Sequence, residues 1–407
     1  MMPSGWEEVK LGEVISHQKG FAFKSDSYTT VGVRIIRISD TTRNSIHDKS
    51  PVYINEDETL ALSNYKLKAE DIILSTVGSR PHLLDSMVGK AVQIPIKDEG
   101  SLLNQNLVKL VPKNNLITND YLFSMITKSK FNYFISTLVR GNANQVSITL
   151  KELFAYTFLL PTYNEQQKIA KILSTWDKAI STTECLINNS NQQKKALMQQ
   201  LLTGKKRLLD ESGKRFEGEW KSAKLSNFVV FKNGKGHENF VEDDGEYIVV
   251  NSKYISSDGR VVKKTNQGLN IAEKDDVLMV MSDVPNGKAI AKCFLVTETD
   301  IYTVNQRVAL FRAKKIDPTF LYYILNRNSY YLRFDDGITQ TNLRKEEVLA
   351  CPVPNICNQE QQKIAAVLTN ADKEIELLEQ QLADLQQEKK ALMQQLLTGK
   401  RRVLVEE

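Results

Sequence analysis

The feature that most constrains this chain is that it repeats itself. Glu165-Gln-Gln-Lys-Ile-Ala170 recurs as Glu360-Gln-Gln-Lys-Ile-Ala365, and Lys194-Lys-Ala-Leu-Met-Gln-Gln-Leu-Leu-Thr-Gly-Lys205 recurs unchanged as Lys389 to Lys400. Both matches lie 195 residues apart, so the stretch between them has one length in both copies. A long-period repeat decides architecture before any local element is assigned. Weaker echoes continue upstream, where Trp6, Leu11 and Gly20 correspond to Trp220, Leu225 and Gly234 at a spacing of 214. Asp71-Ile-Ile-Leu74 then pairs with Asp276-Val-Leu-Met279, Asn104-Gln105 with Asn305-Gln306, and Tyr121-Leu122 with Phe320-Leu321. The shrinking spacing means that the upstream copies differ by insertions and deletions in loops. The chain reads A-B-A′-B′, with A diverged and B nearly constant.

The B segments carry apolar residues at alternating steps of four and three, which places them on one helical stripe. In the first copy the stripe is Ile169, Leu173, Trp176, Ile180, Ile187, Leu197 and Leu201, interrupted by Thr183, Ser190 and Lys194. In the second it is Ile364, Leu368, Ala371, Ile375, Leu378, Leu382, Leu385, Leu392 and Leu396, interrupted only by Lys389. Asn164 with Gln167 suits an N-terminal cap, and Gly204 and Gly399, each followed by basic residues, suit helix ends. Each helix is expected to run about 39 residues, roughly 58 Å at ~1.5 Å per residue. A stripe this long needs a partner. Equal lengths favour antiparallel pairing within the chain, and pairing between two chains is the alternative.

The A modules show short β-rich runs at Arg34–Ile38, Ile72–Ser75, Leu107–Val111, Tyr247–Val250, Val277–Met281 and Val308–Arg312. Each is expected to close with one helix, capped by Asn119 in the first module and by Asp317-Pro318 in the second. Asn233-Gly-Lys-Gly236 reads as a hairpin turn in preference to a nucleotide-binding glycine turn, since no ribose-binding acid follows. The expected fold class is therefore mixed α/β, two related modules with a pseudo-twofold repeat and a long antiparallel two-helix coiled coil between them. The boundaries are 1–160 for the first module, 161–207 for its helix, 208–219 for a linker, 220–355 for the second module and 356–405 for the second helix.

Composition narrows the function. Residues 1–160 carry 18 basic and 16 acidic side chains, 216–357 carry 19 of each, and the basic excess sits in 161–215, ten against five. No run approaches the roughly 18 uncharged apolar residues of a membrane span, so no membrane is expected and the cytoplasm is the expected location. Cys185, Cys293, Cys351 and Cys357 form no CxxC pair, and His17, His47, His82 and His237 give no ligand spacing, so no metal site is expected. Gly204-Lys-Lys206 lacks the upstream Gly and the following Ser/Thr of a phosphate-binding loop. Neither an Asn/Asp-Pro-Pro-aromatic methylation motif nor a Pro-Asp…acidic-x-Lys nuclease signature is present. No catalytic residue is assigned.

Two diverged modules, each followed by a helix running from EQQKIA to QQLLTGK, closely resemble the specificity subunits of type I restriction-modification enzymes. The resemblance covers the whole chain and is most specific at Asn164–Arg207 and Asn358–Arg402, with Trp6–Lys24 resembling the start of a target-recognition domain. It implies a non-catalytic reader of double-stranded DNA, each target-recognition domain reading half of a bipartite target, with the helices setting the non-specific spacer. It implies as partners two methyltransferase (modification) subunits docked on the helices, joined by restriction/translocase subunits. S-adenosylmethionine, ATP and Mg2+ would then belong to those partners, this chain having no cofactor of its own. Two alternatives are a related system with a fused methyltransferase-nuclease partner and a coiled-coil assembly scaffold with no DNA role.

The duplication also sorts DNA contacts, because residues shared by two modules that read different half-sites cannot encode the difference. Asn104-Gln105, Asn305-Gln306, Gln145 and Gln340 are thus assigned to loop structure or DNA backbone. Base reading is expected from polar loop residues that differ: Lys24, Ser25, Arg43, Arg80 and Asn142 in the first module, and Lys235, His237, Lys253, Lys263 and Lys264 in the second. Arginine forks onto guanine and lysine reaches its O6/N7 edge, which ranks these types first. Lys168, Lys194, Lys195 and their copies are expected to be solvated flanks or methyltransferase contacts.

Overall fold

The computed structural model describes residues 3–42, 45–78, 88–113, 115–138, 146–285 and 287–404. The chain divides into two compact units, one made of residues 1–184 and 381–407, the other of residues 185–380. Each unit thus holds one module, the start of the long helix that follows it and the end of the other long helix.

The two modules repeat one topology strand for strand. In the first, an antiparallel sheet runs in the order Ile15–Lys19, Leu107–Pro112, Ile72–Ser75, Ala91–Gln93. Its counterpart runs Val229–Asn233, Val308–Ala313, Val277–Val280, Cys293–Leu295. A mixed three-stranded sheet accompanies each: Val52–Ile54, Val33–Ile36, Leu102–Leu103 in the first and Lys264–Thr265, Tyr247–Val250, Tyr302–Val304 in the second. Among the described residues two two-stranded ribbons complete each module, one of them pairing Glu7–Lys10 with Thr157–Leu160 in the first and Lys221–Lys224 with Pro352–Asn355 in the second. The central strands Ile72–Ser75 and Val277–Val280 are buried at every residue, which is why they read as continuous apolar runs.

The helical content exceeds the single closing helix expected. Besides the single-turn helices Leu11–Val14 and Ser252–Ser256, the first module has helices Asn119–Ile126, Ser129–Leu138 and Leu150–Phe154, and the second has Pro318–Leu325, Ser329–Leu332 and Lys345–Leu349. The shorter ones were hidden because four or five residues give too few turns for a 3.6-residue period to show. Asp317 caps the Pro318 helix as expected, its Oδ1 accepting from Phe320 N at 2.8 Å. In the first module Thr118 is the cap, accepting from Tyr121 N, while the Asn119 amide donates to the Glu70 carbonyl instead.

Asn233–Gly236 is not a hairpin. The strand ending at Asn233 pairs with Val308–Ala313, and the chain then crosses to the three-stranded sheet in a parallel bridge between Lys235 and Asn305. The first module makes the same crossing between Phe21 and Asn104. Gly20 N donates to the Leu107 carbonyl and Gly234 N to that of Val308, while Phe21 N and Lys235 N donate to the Leu103 and Val304 carbonyls. The duplicated glycine is required by contact. A Cβ on Gly20 would lie 2.0 Å from the Asn104 carbonyl oxygen, and one on Gly234 1.9 Å from that of Asn305. Gly234→Ala is therefore expected to cost at least the ~1–3 kcal/mol of an overpacked site, since backbone must move. An unchanged urea midpoint would show that the crossing yields freely.

The long helices span Tyr163–Leu201 and Asn358–Leu396, 39 residues each. Both end as their glycines require, with Gly204 at φ +71° and Gly399 at φ +68°. The first begins earlier than Asn164 implies: Thr162 precedes it, its hydroxyl bonded to Glu165 at 3.0 Å. In each unit by itself the helices run antiparallel. Asp177 pairs with Lys389 in one unit, and Lys194 pairs with Asp372 in the other. The two lysines that interrupt the stripes are thus ion-paired seam residues, not solvated flanks, and Ser190 likewise meets Glu374 at 3.3 Å.

The repeated Glu-Gln-Gln motif now has a physical reading. Gln166 accepts from Thr118 N at 2.9 Å and donates to the Leu116 and Pro161 carbonyls, tying the helix start to the module before it. Gln361 does the same with Asp317 N and the Ile356 carbonyl. Glu165 is met by Arg402 at 2.6 Å and by the Trp6 indole N–H at 3.0 Å. Glu360 is met by Arg207 at 2.6 Å. Each buried glutamate is therefore closed by an arginine from the far end of the other repeat. Apolar packing agrees: Ile169 and Leu173 share one core with Leu396 and Leu397, and Ile364 and Leu368 share the other with Leu201.

Candidate nucleic-acid interface

The expected base readers can be placed one by one. Arg43, Arg80 and Asn142 lie outside the described residues, as does Gln145. Lys24 and Ser25 are exposed, just beyond the Gly20 crossing, at the start of the one-turn helix Ser25–Ser27. Lys235, Lys253, Lys263 and Lys264 are also exposed. Lys253 rides on the short helix Ser252–Ser256, which Asn251 caps at 2.8 Å. Lys263 and Lys264 belong to the ribbon beside Tyr247–Val250, where the Lys263 carbonyl accepts from Val249 N.

His237 is placed otherwise than expected. It is fully buried, with Nδ1 2.7 Å from the Lys235 carbonyl and Nε2 3.0 Å from the Thr303 hydroxyl. A ring with both nitrogens engaged inside the fold is not free to meet a base edge, so His237 is a strut. The first module explains why a polar histidine could be mistaken for a reader. The positions equivalent to His237 and Thr303 are Phe23 and Leu102, which pack in an apolar cluster with Ile35, Ile54 and Leu62. One packed pair has been exchanged for one hydrogen-bonded pair.

Around this strut the second module forms a cleft of about 210 Å³. Its wall includes Lys253 and Lys263, joined by Glu238, Arg307, Asn251 and Ser252. Among the described residues the side chains of Lys253, Lys263 and Arg307 make no ion pair, so three cations border the cleft without internal neutralisation. The Ser252 hydroxyl is buried and has no hydrogen-bond partner among the described residues. Free cations around a polar concavity suit a polyanion, since each phosphate neutralised releases condensed counterions. Lys235 and Lys264 are not part of this wall.

Glu238 and Arg307 were not selected from sequence. Glu238 is exposed, and its Oε1 accepts from the Gln306 amide at 3.0 Å and the Asn305 amide at 3.4 Å. Its own backbone N–H above all, together with these amides and the His237 backbone N–H, holds its carboxyl below the ordinary range against the opposing effect of burial. The shared Asn-Gln pair is thus loop structure with a task, fixing the carboxylate of a residue that the modules do not share. Ranking cations alone concealed an acceptor.

Among the described residues no group of three or more His, Cys, Asp or Glu is placed to hold a metal ion, and no helix is long and apolar enough to cross a membrane.

Comparison with known proteins gives one consistent result. The family model for the type I restriction modification DNA specificity domain matches residues 3–191 and again 217–387. The chain is 26% identical over 419 residues to the MjaX specificity subunit attributed to a type I restriction enzyme of Methanocaldococcus jannaschii, covering 99% of this chain and 95% of that protein. Its fold resembles the crystal structure of the type I restriction-modification S subunit from M. genitalium, with a TM-score of 0.62, 15% identity and 96% of each chain covered. It also resembles a chain solved in work on complex assembly and conformational transition of the type I R-M system, with a TM-score of 0.55, 15% identity, and 98% of this chain and all of that one covered.

Proposed function

We propose that this chain, which belongs to the type I restriction-modification DNA specificity family, reads a split DNA target through its two modules while the long helices set the distance between the halves. The observation that carries this reading is the strand-for-strand duplication of the module, with its exposed polar positions diverged and its crossing and core retained. Two scaffolds of one shape present two different sets of side chains, as a reader of two unlike half-sites must.

The chain performs no chemistry in this reading. Methyl transfer, translocation and cleavage belong to partner subunits, two methyltransferases and the restriction/translocase subunits, and S-adenosylmethionine, ATP and Mg2+ go with them. The cytoplasm, where the DNA is, is the place of action. Near-balanced charge in each module fits a reader that relies on its partners for part of its non-specific affinity.

Exchanging the first module for that of another family member tests the reading. The exchange should run from residue 3 to residue 160, so that the paired strands Glu7–Lys10 and Thr157–Leu160 move together. The assembled enzyme is expected to methylate a new sequence in one half of its target and the old sequence in the other, as read by methylome sequencing. Simultaneous change of both halves would show that the modules do not read independently.

A further inference from the structure

The two modules cross between their sheets in the same way, so the residues that leave the crossing can be compared position by position. Counting from Gly20 and Gly234, Phe21 corresponds to Lys235, Phe23 to His237, and Lys24 to Glu238. Lys24 is the extended residue just before the one-turn helix Ser25–Ser27, Glu238 is the first residue of the one-turn helix Glu238–Phe240, and both are exposed. Four residues beyond the crossing glycine, one copy thus carries a donor and the other an acceptor.

The surroundings of Glu238 are unusual for an exposed carboxylate. Three cations border its cleft, yet none is paired with it among the described residues; it is held by neutral donors, the backbone N–H groups of His237 and Glu238 and the amides of Asn305 and Gln306. Both amides donate to Oε1, and no described donor side chain reaches Oε2. An isolated negative charge facing a phosphate backbone is repelled, so in a cleft that suits a polyanion its presence needs a compensating donor. In the major groove, the base-edge donor that carboxylates meet is the cytosine N4 amino group, whereas a lysine meets guanine O6 and N7.

We propose that position 24/238 is a base-reading position of opposite polarity in the two modules, Glu238 accepting from a cytosine amino group in one half-site and Lys24 donating to a guanine in the other. This rests on the reading of the chain as a two-module DNA reader. Asn305 and Gln306 are positioning residues here, acting on the base only through the carboxylate that they orient.

The test uses the full chain assembled with its methyltransferase partners and reads methylated sites genome-wide for wild type, Glu238→Gln, Glu238→Lys and Lys24→Glu. The wild-type half-site assigned to the second module should contain a cytosine at one invariant place. In Glu238→Gln, which keeps shape and removes charge, preference at that base pair is expected to fall roughly five- to 150-fold, the equivalent of losing ~1–3 kcal/mol of discrimination. Glu238→Lys should move the preference toward guanine, and Lys24→Glu should make the reverse change in the other half-site. A second half-site without such a cytosine would overturn the proposal. So would Glu238→Gln methylating all sites more slowly with unaltered preference, because that is what a merely structural carboxylate would do. Thermal melting of each variant separates misfolding from altered reading, and exchange of the first module identifies its half-site independently. Failure of that exchange would strike the two-module reading, while its success with an unchanged Glu238 preference would strike this proposal alone.

Discussion

Arg207→Ala is expected to lower the unfolding free energy by ~3–5 kcal/mol, the range for removing one partner of a buried ion pair. Arg207 grips Glu360 with two nitrogens, at 2.6 and 2.9 Å, and the Glu360 side chain is only 2% exposed. Truncation leaves that carboxylate desolvated and unpaired, and removes the guanidinium stacked 5.8 Å from the Trp220 ring. Arg207→Lys should fall between, because an ammonium cannot span both oxygens. Adding Glu360→Gln to Arg207→Ala should recover part of the loss by deleting the stranded charge. Urea unfolding of the full chain checks this, and a loss under about 1 kcal/mol would show the pair to behave as an ordinary surface bridge.

The equivalent pair predicts a pH dependence. Burial works against the Glu165 charge, but bonds from Arg402, the Thr162 hydroxyl and the Trp6 indole outweigh it and hold the carboxyl below its ordinary range. A depressed carboxyl contributes stability that is present above its unfolded value of about 4.3 and is lost as the pH falls toward the folded value. Glu165→Gln should therefore flatten the acid side of the stability curve below about pH 4.5 while lowering stability at pH 7. A curve of wild-type shape would show that the Glu165–Arg402 pair does not govern acid stability.

The second large effect concerns spacing. Four residues inserted in each long helix, after Glu184 and after Gln380, are expected to lengthen the methylated target by one or two base pairs with both half-sites unchanged. These points fall at the boundaries between the two units, so the contacts within each unit keep their register. Four residues add ~6 Å of helix and advance the next turn by ~40°. One base-pair step is ~3.4 Å with a twist of ~34°, so the length asks for nearly two steps and the rotation for about one. An insertion after Leu202 would not serve, although the periodicity alone permits it. The helix ends at Leu201, and the turn through Gly204 delivers Arg207 to Glu360. An active variant with an unaltered spacer would show that the helices do not set the distance.

Much of the architecture was legible because its signals are local or repeated. The 3-4 stripe from Ile169 to Leu201 and the terminating glycines act within a few turns of chain, the strict 195-residue spacing is a direct repeat of sequence, and helix length follows from them. Short helices such as Ser329–Leu332 were not legible, since one turn has no period. In the candidate interface the structure places Lys253 and Lys263 on one cleft wall, buries His237, and adds to that wall Glu238 and Arg307, which the sequence did not single out. The change from Lys24 to Glu238 can be seen only once Gly20 and Gly234 are known to make the same crossing.

What the sequence determined by itself is the duplicated plan: two modules, two equal helices, and a stripe on each that demands a partner. Hydrophobic periodicity and glycine chemistry act through the nearest turns of chain, so they survive without knowledge of the fold. Only the tertiary structure decided which charges meet. Arg402 reaches Glu165 across 237 positions and Arg207 reaches Glu360 across 153, distances over which no pattern of neighbours specifies a contact. The same holds for His237 and Thr303, 66 positions apart, where burial turned an exposed-looking polar residue into a strut. Desolvation and ion pairing depend on what the whole chain folds around a group, and a lone sequence position does not carry that information.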